Sequence, residues 1–213
     1  MFITLEGPDG SGKTSQIPAL AEFLREQGYP VLTTREPGGT VISNQIRAVL
    51  MNMENTSMCA RTETLLFCAA RAQLVDEVIR PHLEQGELVL SDRYADSTLA
   101  YQGYGHGNDL QLLRQILNFA TGGLWPDLTL LLDVDSELGL RRRKDGGGEW
   151  NRLDAYELAL HERVRHGYRQ MALAEPERWV IVDGSRSFEA VQAELRRVVL
   201  ERLQRTVSGH AGR

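Results

Sequence analysis

The feature that most constrains this 213-residue sequence is a glycine-rich loop close to its first residue. The loop reads Gly7-Pro8-Asp9-Gly10-Ser11-Gly12-Lys13-Thr14 and follows the apolar run Phe2-Ile3-Thr4-Leu5 directly. Glycines between a buried strand and a helix let backbone N–H groups converge on one concavity, which can bind a polyphosphate. In the pattern G-x-x-x-x-G-K-[ST], the lysine reaches the terminal phosphates and the hydroxyl ligates magnesium. The loop therefore predicts a nucleoside triphosphate site, with Lys13 on the phosphates and Thr14 on the metal.

Composition and charge narrow the class of protein. Hydrophobic residues make up 42% and charged residues 25% of the chain, as in an ordinary globular domain. The formal net charge of −5 removes the basic field that nucleic-acid-binding proteins usually carry. Two cysteines, Cys59 and Cys68, are too few for a disulfide framework, and the five histidines show no paired ligand spacing.

The cellular setting is expected to be the cytoplasm. The first strand begins at once and leaves no room for a signal segment, and no apolar run approaches the length of a membrane span. We therefore expect no membrane partner and no nucleic-acid partner.

Short aliphatic runs alternate with long amphipathic stretches, a rhythm typical of βαβ units around a parallel sheet. The predicted strands are Phe2–Leu5, Val31–Thr34, Leu88–Ser91, Leu128–Asp133 and Val180–Val182. Besides the helix after the phosphate loop, the predicted helices are about Val41–Leu50, Thr62–Gln85, Asp109–Ala120, Ser136–Lys144, Asp154–Ala174 and Ser187–Leu203. This pattern predicts a three-layer α/β/α fold of the P-loop NTPase type in one domain over residues 1–205, with a flexible tail at 206–213.

Charged residues directly follow two predicted strands, at the sheet edge where such folds bind ligands. Arg35 enters a Glu-Pro-Gly-Gly turn that would fix it there. Asp92 would lie beside the phosphate loop and can hold magnesium, and the planar fork of Arg93 suits a phosphate. Each segment alone is compatible with a surface arginine or ion pair, but their position after a phosphate loop favours a second phosphate-bearing ligand.

Residues at helical spacing in two segments suggest a base site. Phe67 and Arg71 share a helix face, so a flat base could stack on the ring while the guanidinium bonds its edge. A core phenylalanine with a snorkelling arginine has the same spacing. Ser97, Tyr101 and Gln102 present a hydroxyl, a phenol and an amide within about one helical turn, which suits a base and sugar but also an ordinary polar surface.

A basic cluster next to glycines predicts a short mobile lid at about 142–153. Four cations flank the segment Asp145-Gly146-Gly147-Gly148: Arg142, Arg143, Lys144 and Arg152. Cations at a helix C-terminus are favourable through the helix dipole alone. The lid is preferred because position 10 of the phosphate loop is glycine and carries no arginine, so the charge that develops in phosphoryl transfer must be neutralised from elsewhere.

Taken together, these segments resemble the thymidylate kinases of bacteria. The resemblance rests on blocks in matching order and spacing: the phosphate loop, Thr34-Arg35-Glu36-Pro37-Gly38-Gly39-Thr40, Phe67-Cys68-Ala69-Ala70-Arg71, Asp92-Arg93-Tyr94 and Ala100-Tyr101-Gln102-Gly103. It implies a nucleoside-monophosphate kinase fold with a five-stranded parallel core, Mg²⁺-dependent transfer from ATP to dTMP, and a homodimer. One departure is in the lid, where such sequences usually carry an arginine just before the glycine and this chain has Asp145.

The resemblance also implies roles for single residues. Asp9 matches the acid that bonds the deoxyribose 3′-hydroxyl, and Tyr101 matches the ring that excludes a ribose 2′-hydroxyl. The remaining acceptor contacts that it implies are thymine stacking by Phe67, a bond to the thymine carbonyl from Arg71, clamping of the dTMP phosphate by Arg35 and Arg93, and lining of the base site by Ser97 and Gln102.

Two alternatives remain open from the sequence. One is a kinase for another nucleoside monophosphate or for a deoxynucleoside, against which two arginines for an acceptor phosphate favour a monophosphate. The other is a non-catalytic NTPase switch, for which the guanine-reading pattern N-K-x-D is absent.

Overall fold

The computed structural model describes residues 1–146, 152–153 and 156–210, with the backbone alone at 206–210. Its five strands are all parallel and lie in the order β2-β3-β1-β4-β5. They are β1 (Phe2–Glu6), β2 (Val31–Arg35), β3 (Leu88–Asp92), β4 (Leu128–Asp133) and β5 (Trp179–Asp183). The predicted α/β fold class is confirmed, and each predicted strand end lies within one residue of the observed one.

Nine α-helices occur in the described part of the chain. They are α1 (Lys13–Glu26), α2 (Val41–Met51), α3 (Ala60–Leu74), α4 (Arg80–Glu84), α5 (Ala95–Thr98), α6 (Leu110–Ala120), α7 (Ser136–Asp145), α8 (Leu158–Ala174) and α9 (Phe188–His210). Two π-helical segments, Val75–Ile79 and Leu99–Gly105, follow α3 and α5.

Three helix predictions need correction. The expected single helix Thr62–Gln85 is interrupted by the first π-helical segment. The helix expected from Asp154 begins at Leu158 instead. The last helix continues beyond Leu203 to His210, into the expected tail, and residues 211–213 lie outside the described residues.

Two apolar clusters cover the two faces of the sheet. Ile3 and Leu5 of β1 pack with α1 and α9, whereas Phe2 packs on the opposite face with α3, α6 and α8. Side chains alternate between the faces of a strand, so Glu6 shares the face of Phe2. The sequence of β1 thus sends one carboxylate into the layer formed by α3, α6 and α8.

All five strands end in a charged residue: Glu6, Arg35, Asp92, Asp133 and Asp183. Because the strands are parallel, these residues meet at one edge of the sheet, and the phosphate loop leaves the central strand β1 there. Parallel α/β sheets bind ligands outside this edge.

Two further findings concern the cysteines and the helices of the described residues. Cys59 and Cys68 are both free thiols. No helix among the described residues combines the length and the apolar character needed to cross a membrane.

Candidate active site

A cavity of about 710 Å³ opens at the carboxyl edge of the sheet, within the range of small-molecule sites. The phosphate loop forms its centre. On the side of β2 its wall includes Arg35 and Phe67, and on the side of β5 it includes Gly184 and Phe188. The edge therefore has room for a ligand on either side of the phosphate loop.

Backbone conformation explains the glycines of the phosphate loop. Gly7, Gly10 and Gly12 have φ of 144°, 73° and 95°, a region that other residues rarely adopt. Lys13 lies buried across the loop and donates to the carbonyl oxygens of Gly7 and Pro8 at 2.9 and 2.8 Å. Burial and the nearby charge of Arg93 lower the pKa of Lys13 to about 8. The amine is thus held within the loop that would receive the phosphates.

Thr14 and Asp92 form the one predicted metal pair. The Thr14 hydroxyl donates to Oδ2 of Asp92 at 2.6 Å, which brings the start of α1 to the end of β3. Among the described residues no group of three or more His, Cys, Asp or Glu side chains could hold a metal ion. Mg²⁺ is usually bound through one or two carboxylates together with substrate phosphates, so a hydroxyl and one carboxylate fit it.

Arg93 lies at the centre of a polar wall of the cavity, which it forms with Ser97 and Tyr101, and it has an unusual backbone conformation. Its φ of 70° is left-handed, which costs a non-glycine residue about 1–3 kcal/mol and is typical of functional sites. Its Nη2 donates to Oδ1 of Asp9 at 2.6 Å, and its guanidinium lies 5.1 Å from the centre of the Tyr101 ring. The predicted clamp therefore lines the cavity in contact with two other predicted residues.

Asp9 joins the phosphate loop to this wall. It accepts hydrogen bonds from Arg93 and from the Tyr101 hydroxyl, both at 2.6 Å, and His161 of α8 lies 3.9 Å away. Burial opposes its ionisation, but the charges of Arg93 and Lys13 and the Tyr101 bond lower the pKa of Asp9 to about 2. Asp9 is thus a carboxylate at neutral pH, able to accept a hydrogen bond from a hydroxyl group of a ligand.

Arginines concentrate on the β2 side of the cavity. Arg35 is exposed and lines it, as does Arg47 of α2, which the sequence analysis missed. Arg47 donates to the Pro37 carbonyl at 2.9 Å, and burial together with Arg35 lowers its pKa. No motif marks Arg47, because its position depends on how α2 packs after the Glu-Pro-Gly-Gly turn.

Of the predicted base-site residues, some line the cavity and one, Arg71, does not. Phe67, Ser97 and Gln102 line the cavity, and the Gln102 amide donates to Glu63 at 2.8 Å. Arg71 is not among the lining residues. Its fully buried guanidinium pairs with Glu36 at 2.6 Å and also donates to Thr98 and to the Tyr94 carbonyl. The sequence spacing put Arg71 on one helix face with Phe67, but it could not reveal Glu36 as the buried partner of Arg71.

The four predicted lid cations also differ in whether they line the cavity. Arg142 and Arg143 line the cavity, and Arg142 donates to the carbonyls of Gly184 and Ser185 at 2.7 and 3.0 Å, on the β5 side. Lys144 is exposed at the end of α7. Residues 147–151 lie outside the described residues, so the lid itself stays a prediction.

Arg152 has an unexpected position. Its guanidinium pairs with Glu63, and it also donates to the Leu50 carbonyl at 2.9 Å and the Tyr156 hydroxyl at 3.1 Å. It is not one of the residues lining the cavity. The contacts direct Arg152 to α2 and α3 and away from the phosphate loop.

Two buried residues that bond to the polar wall from behind, and do not line the cavity, were not predicted from the sequence. Glu6 is fully buried, and Tyr168 of α8 donates to it at 2.8 Å. An acidic residue in an otherwise apolar strand was the available signal for Glu6. Tyr168 carried no comparable signal, because many helices bury a tyrosine.

Comparison with known proteins agrees with this geometry. A model of the thymidylate kinase family matches residues 5–195. The chain is 53% identical to the thymidylate kinase of Roseiflexus castenholzii, with 93% of this chain and 92% of the relative covered. It is 50% identical to that of Deinococcus radiodurans, with 95% and 97% covered.

A solved structure agrees as well. The crystal structure of thymidylate kinase from Ehrlichia chaffeensis is 35% identical and superposes with a TM-score of 0.76, covering 93% of this chain and 98% of that chain. Sequence and structure thus match over most of the chain, and the protein belongs to the thymidylate kinase family.

Proposed function

We propose that this protein transfers the terminal phosphoryl group of ATP to dTMP, forming dTDP for dTTP synthesis in the cytoplasm. The observation that carries the proposal is a phosphate loop in the middle of a cavity that extends to both sides of it. Three arginines, Arg35, Arg47 and Arg93, lie on the acceptor side, which is where a second phosphate would need them.

On the donor side, residues Gly7 to Thr14 would bind the ATP phosphates. Phosphate oxygens would replace the carbonyl partners of Lys13, and Thr14 and Asp92 would hold Mg²⁺. Bound Mg²⁺ would neutralise phosphate charge and orient the terminal phosphate. The β5 side of the cavity, which includes the apolar Phe188, would take the adenosine.

On the acceptor side, the dTMP phosphate would lie among the three arginines. The Asp9 carboxylate would accept a hydrogen bond from the 3′-hydroxyl, Tyr101 would lie against the sugar, and Phe67 would stack on thymine. Ser97 and Gln102 would line the base site. For Arg71 to bond the thymine carbonyl, the base would need to reach past the residues that line the cavity.

The transfer itself needs orientation and charge neutralisation but no covalent intermediate. Lys13 and Arg93 would act from the loop and the wall. Of the lid candidates, Arg142 and Arg143 line the cavity and are therefore the cations best placed for the transferring phosphate. Lys144 and Arg152 remain candidates, although Arg152 does not line the cavity and bonds to α2 and α3.

We also propose that the protein is a homodimer. Large apolar side chains are exposed on the neighbouring helices α2, α3 and α6, among them Val41 (73% exposed), Leu65 (53%) and Phe119 (89%). Helix α3 packs against both α2 and α6. Large exposed apolar side chains on neighbouring helices are typical of interaction surfaces, and a second copy of the same chain is the partner that the family implies.

A coupled assay of ADP release tests the function. The purified protein, ATP and Mg²⁺ are combined with dTMP, dUMP, dCMP, dGMP, dAMP or thymidine, and dTMP is expected to give the highest kcat/KM. A preference for thymidine or another monophosphate would replace the proposed acceptor. Negligible turnover with every acceptor would favour a non-catalytic NTPase.

A further inference from the structure

A buried carboxylate at the end of β1 contacts both the backbone and the side-chain partners of Arg93. We propose that Glu6 is a positioning residue for the acceptor phosphate: it holds Arg93 in the conformation in which its guanidinium lines the cavity. This inference rests on the proposed function, in which Arg93 clamps the phosphate of dTMP.

The Glu6 carboxylate joins three elements. Oε1 accepts the backbone N–H of Tyr94 at 2.7 Å, and Oε2 accepts the hydroxyls of Ser97 at 2.6 Å and Tyr168 at 2.8 Å. These partners lie after β3, in the α5 helix and in α8. Glu6 has no exposed surface, so it cannot contact a ligand directly and can act only through its neighbours.

The first connection to Arg93 runs through the backbone. Tyr94 N–H belongs to the peptide that follows Arg93, whose left-handed φ of 70° is unfavourable. Two further hydrogen bonds hold the backbone of Arg93. Its N–H donates to the Leu5 carbonyl at 3.0 Å, and its carbonyl accepts from the Ser91 hydroxyl at 2.7 Å. The bond to Glu6 is the one of these three that a charged acceptor can strengthen.

The second connection runs through the side chain. Ser97 and Tyr168 each accept a hydrogen bond from Nη1 of Arg93 at 3.2 Å. A hydroxyl that donates a hydrogen bond to Glu6 turns its lone pairs toward other donors. Glu6 therefore orients both hydroxyls as acceptors for Arg93, while Asp9 and Tyr101 hold Nη2 on its other side.

The pKa of Glu6 distinguishes it from a side chain that only fills space in the core. Burial and the nearby charge of Asp96 raise the pKa of Glu6 to about 7, despite the opposing effect of Arg93 and the two hydroxyls. A carboxylate held where its ionisation is unfavourable, beside a strained arginine and next to a ligand cavity, matches the pattern of functional sites.

The test replaces Glu6 and separates the two substrates. Glu6→Gln keeps the shape but removes the charge and one acceptor, so kcat/KM for dTMP is expected to fall at least tenfold. The KM for ATP is expected to stay within about twofold of wild type. Glu6→Asp, which keeps the charge on a shorter side chain, is expected to recover part of the loss.

Asp96→Asn is the matched control. Asp96 is another buried carboxylate, but it pairs with Arg178 at 2.6 Å and not with Arg93. Asp96→Asn removes a charge that raises the pKa of Glu6, so Glu6 stays ionised in this variant. Urea unfolding is therefore expected to show lower stability for the Asp96 variant, with no rise in the KM for dTMP. Equal changes in both variants, or equal changes in the KM values for dTMP and ATP, would mean that Glu6 has a structural role only.

A second variant covers failure of Glu6→Gln to fold. Tyr168→Phe removes one of the two oriented hydroxyls, and kcat/KM for dTMP is expected to fall about threefold with the ATP KM unchanged. No change in dTMP kinetics with Tyr168→Phe would overturn the side-chain connection. A wild-type protein without activity on dTMP would refute the proposed function instead, whereas an active wild type with unaffected variants would refute the role of Glu6 alone.

Discussion

At the scale of single residues, Gly10 explains why this phosphate loop carries no arginine. A Cβ built at residue 10 would lie 1.9 Å from the carbonyl oxygen of Gly139, and one built at Gly139 would lie 2.4 Å from the carbonyl oxygen of Asp9. The phosphate loop and α7 therefore touch through backbone alone. Any side chain at position 10 requires α7 to move, and the basic end of α7 would move with it.

This contact predicts that Gly10→Ala is much more harmful than an equivalent change elsewhere. Gly28 is the matched control, since its φ of +87° is similar to the +73° of Gly10 but nothing lies within 4 Å of its Cβ position. Gly28→Ala is expected to cost about 1–2 kcal/mol of unfolding free energy from backbone strain alone. Gly10→Ala adds the clash, about 1–3 kcal/mol more, and is expected to lower kcat/KM for ATP at least tenfold. Equal unfolding free energies, measured in urea, would contradict the contact.

At the scale of elements, the sequence predicted the order and type of strands and helices because hydrophobic period and glycine positions are local signals. It placed Ser97, Tyr101 and Gln102 within about one helical turn, whereas residues 99–105 are π-helical, with the His106 N–H bonded to the Tyr101 carbonyl at 2.9 Å. A widened turn of this kind has no local signal and is frequent at functional sites.

The motif residues of the site were also predictable, but partners from distant segments were not. Lys13, Thr14 and Asp92 follow from one loop and one strand end. Arg71 and Arg152 differ from expectation because each pairs with a buried glutamate far away in the chain, Glu36 and Glu63. Such pairs depend on how helices pack, which single-sequence spacing does not encode.

The Glu63–Arg152 pair connects α3 to the last residues of the predicted lid, and it predicts non-additive kinetics. Glu63 also receives the Gln102 amide, so loss of either charge is expected to disturb the base site. Arg152→Ala and Glu63→Gln are each expected to raise the KM for dTMP about threefold to tenfold, and the double variant no further. If Arg152 instead stabilises the transferring phosphate, Arg152→Ala will lower kcat strongly and Glu63→Gln will not.

The same glutamate predicts a dependence of stability on pH. Burial opposes its ionisation, but hydrogen bonds from His106, Tyr156, Arg152 and Gln102 lower the pKa of Glu63 from 4.5 to about 2. A depressed carboxyl pKa stabilises the fold fully above about pH 4.5, and the stabilisation is lost as pH falls toward 2. Glu63→Gln is expected to lose about 3 kcal/mol at pH 7. Urea unfolding should show this gap narrowing below pH 4.5, and a constant gap would exclude the charge as its cause.

At the scale of the whole molecule, the exposed apolar residues of α6 are the best place to test the homodimer. Leu112 and Phe119 lie seven residues apart on one helix face and are 55% and 89% exposed. If a second copy covers them, the combined change of both to lysine buries two charges in an apolar contact. The dimer dissociation constant is then expected to rise about 100-fold or more.

Sedimentation velocity over a range of concentrations measures this change. Wild type is expected to sediment with twice the mass of the chain, and the double α6 variant as a single chain with an unchanged circular dichroism spectrum. Ile181→Lys is the matched control, because Ile181 is also an exposed apolar residue (42%) but lies on β5, at the opposite edge of the sheet from β2. A monomeric wild type would refute the homodimer, and a variant that stays dimeric would place its interface away from α6. Dissociation by both variants would point to a general effect of added charge rather than to a covered face of α6.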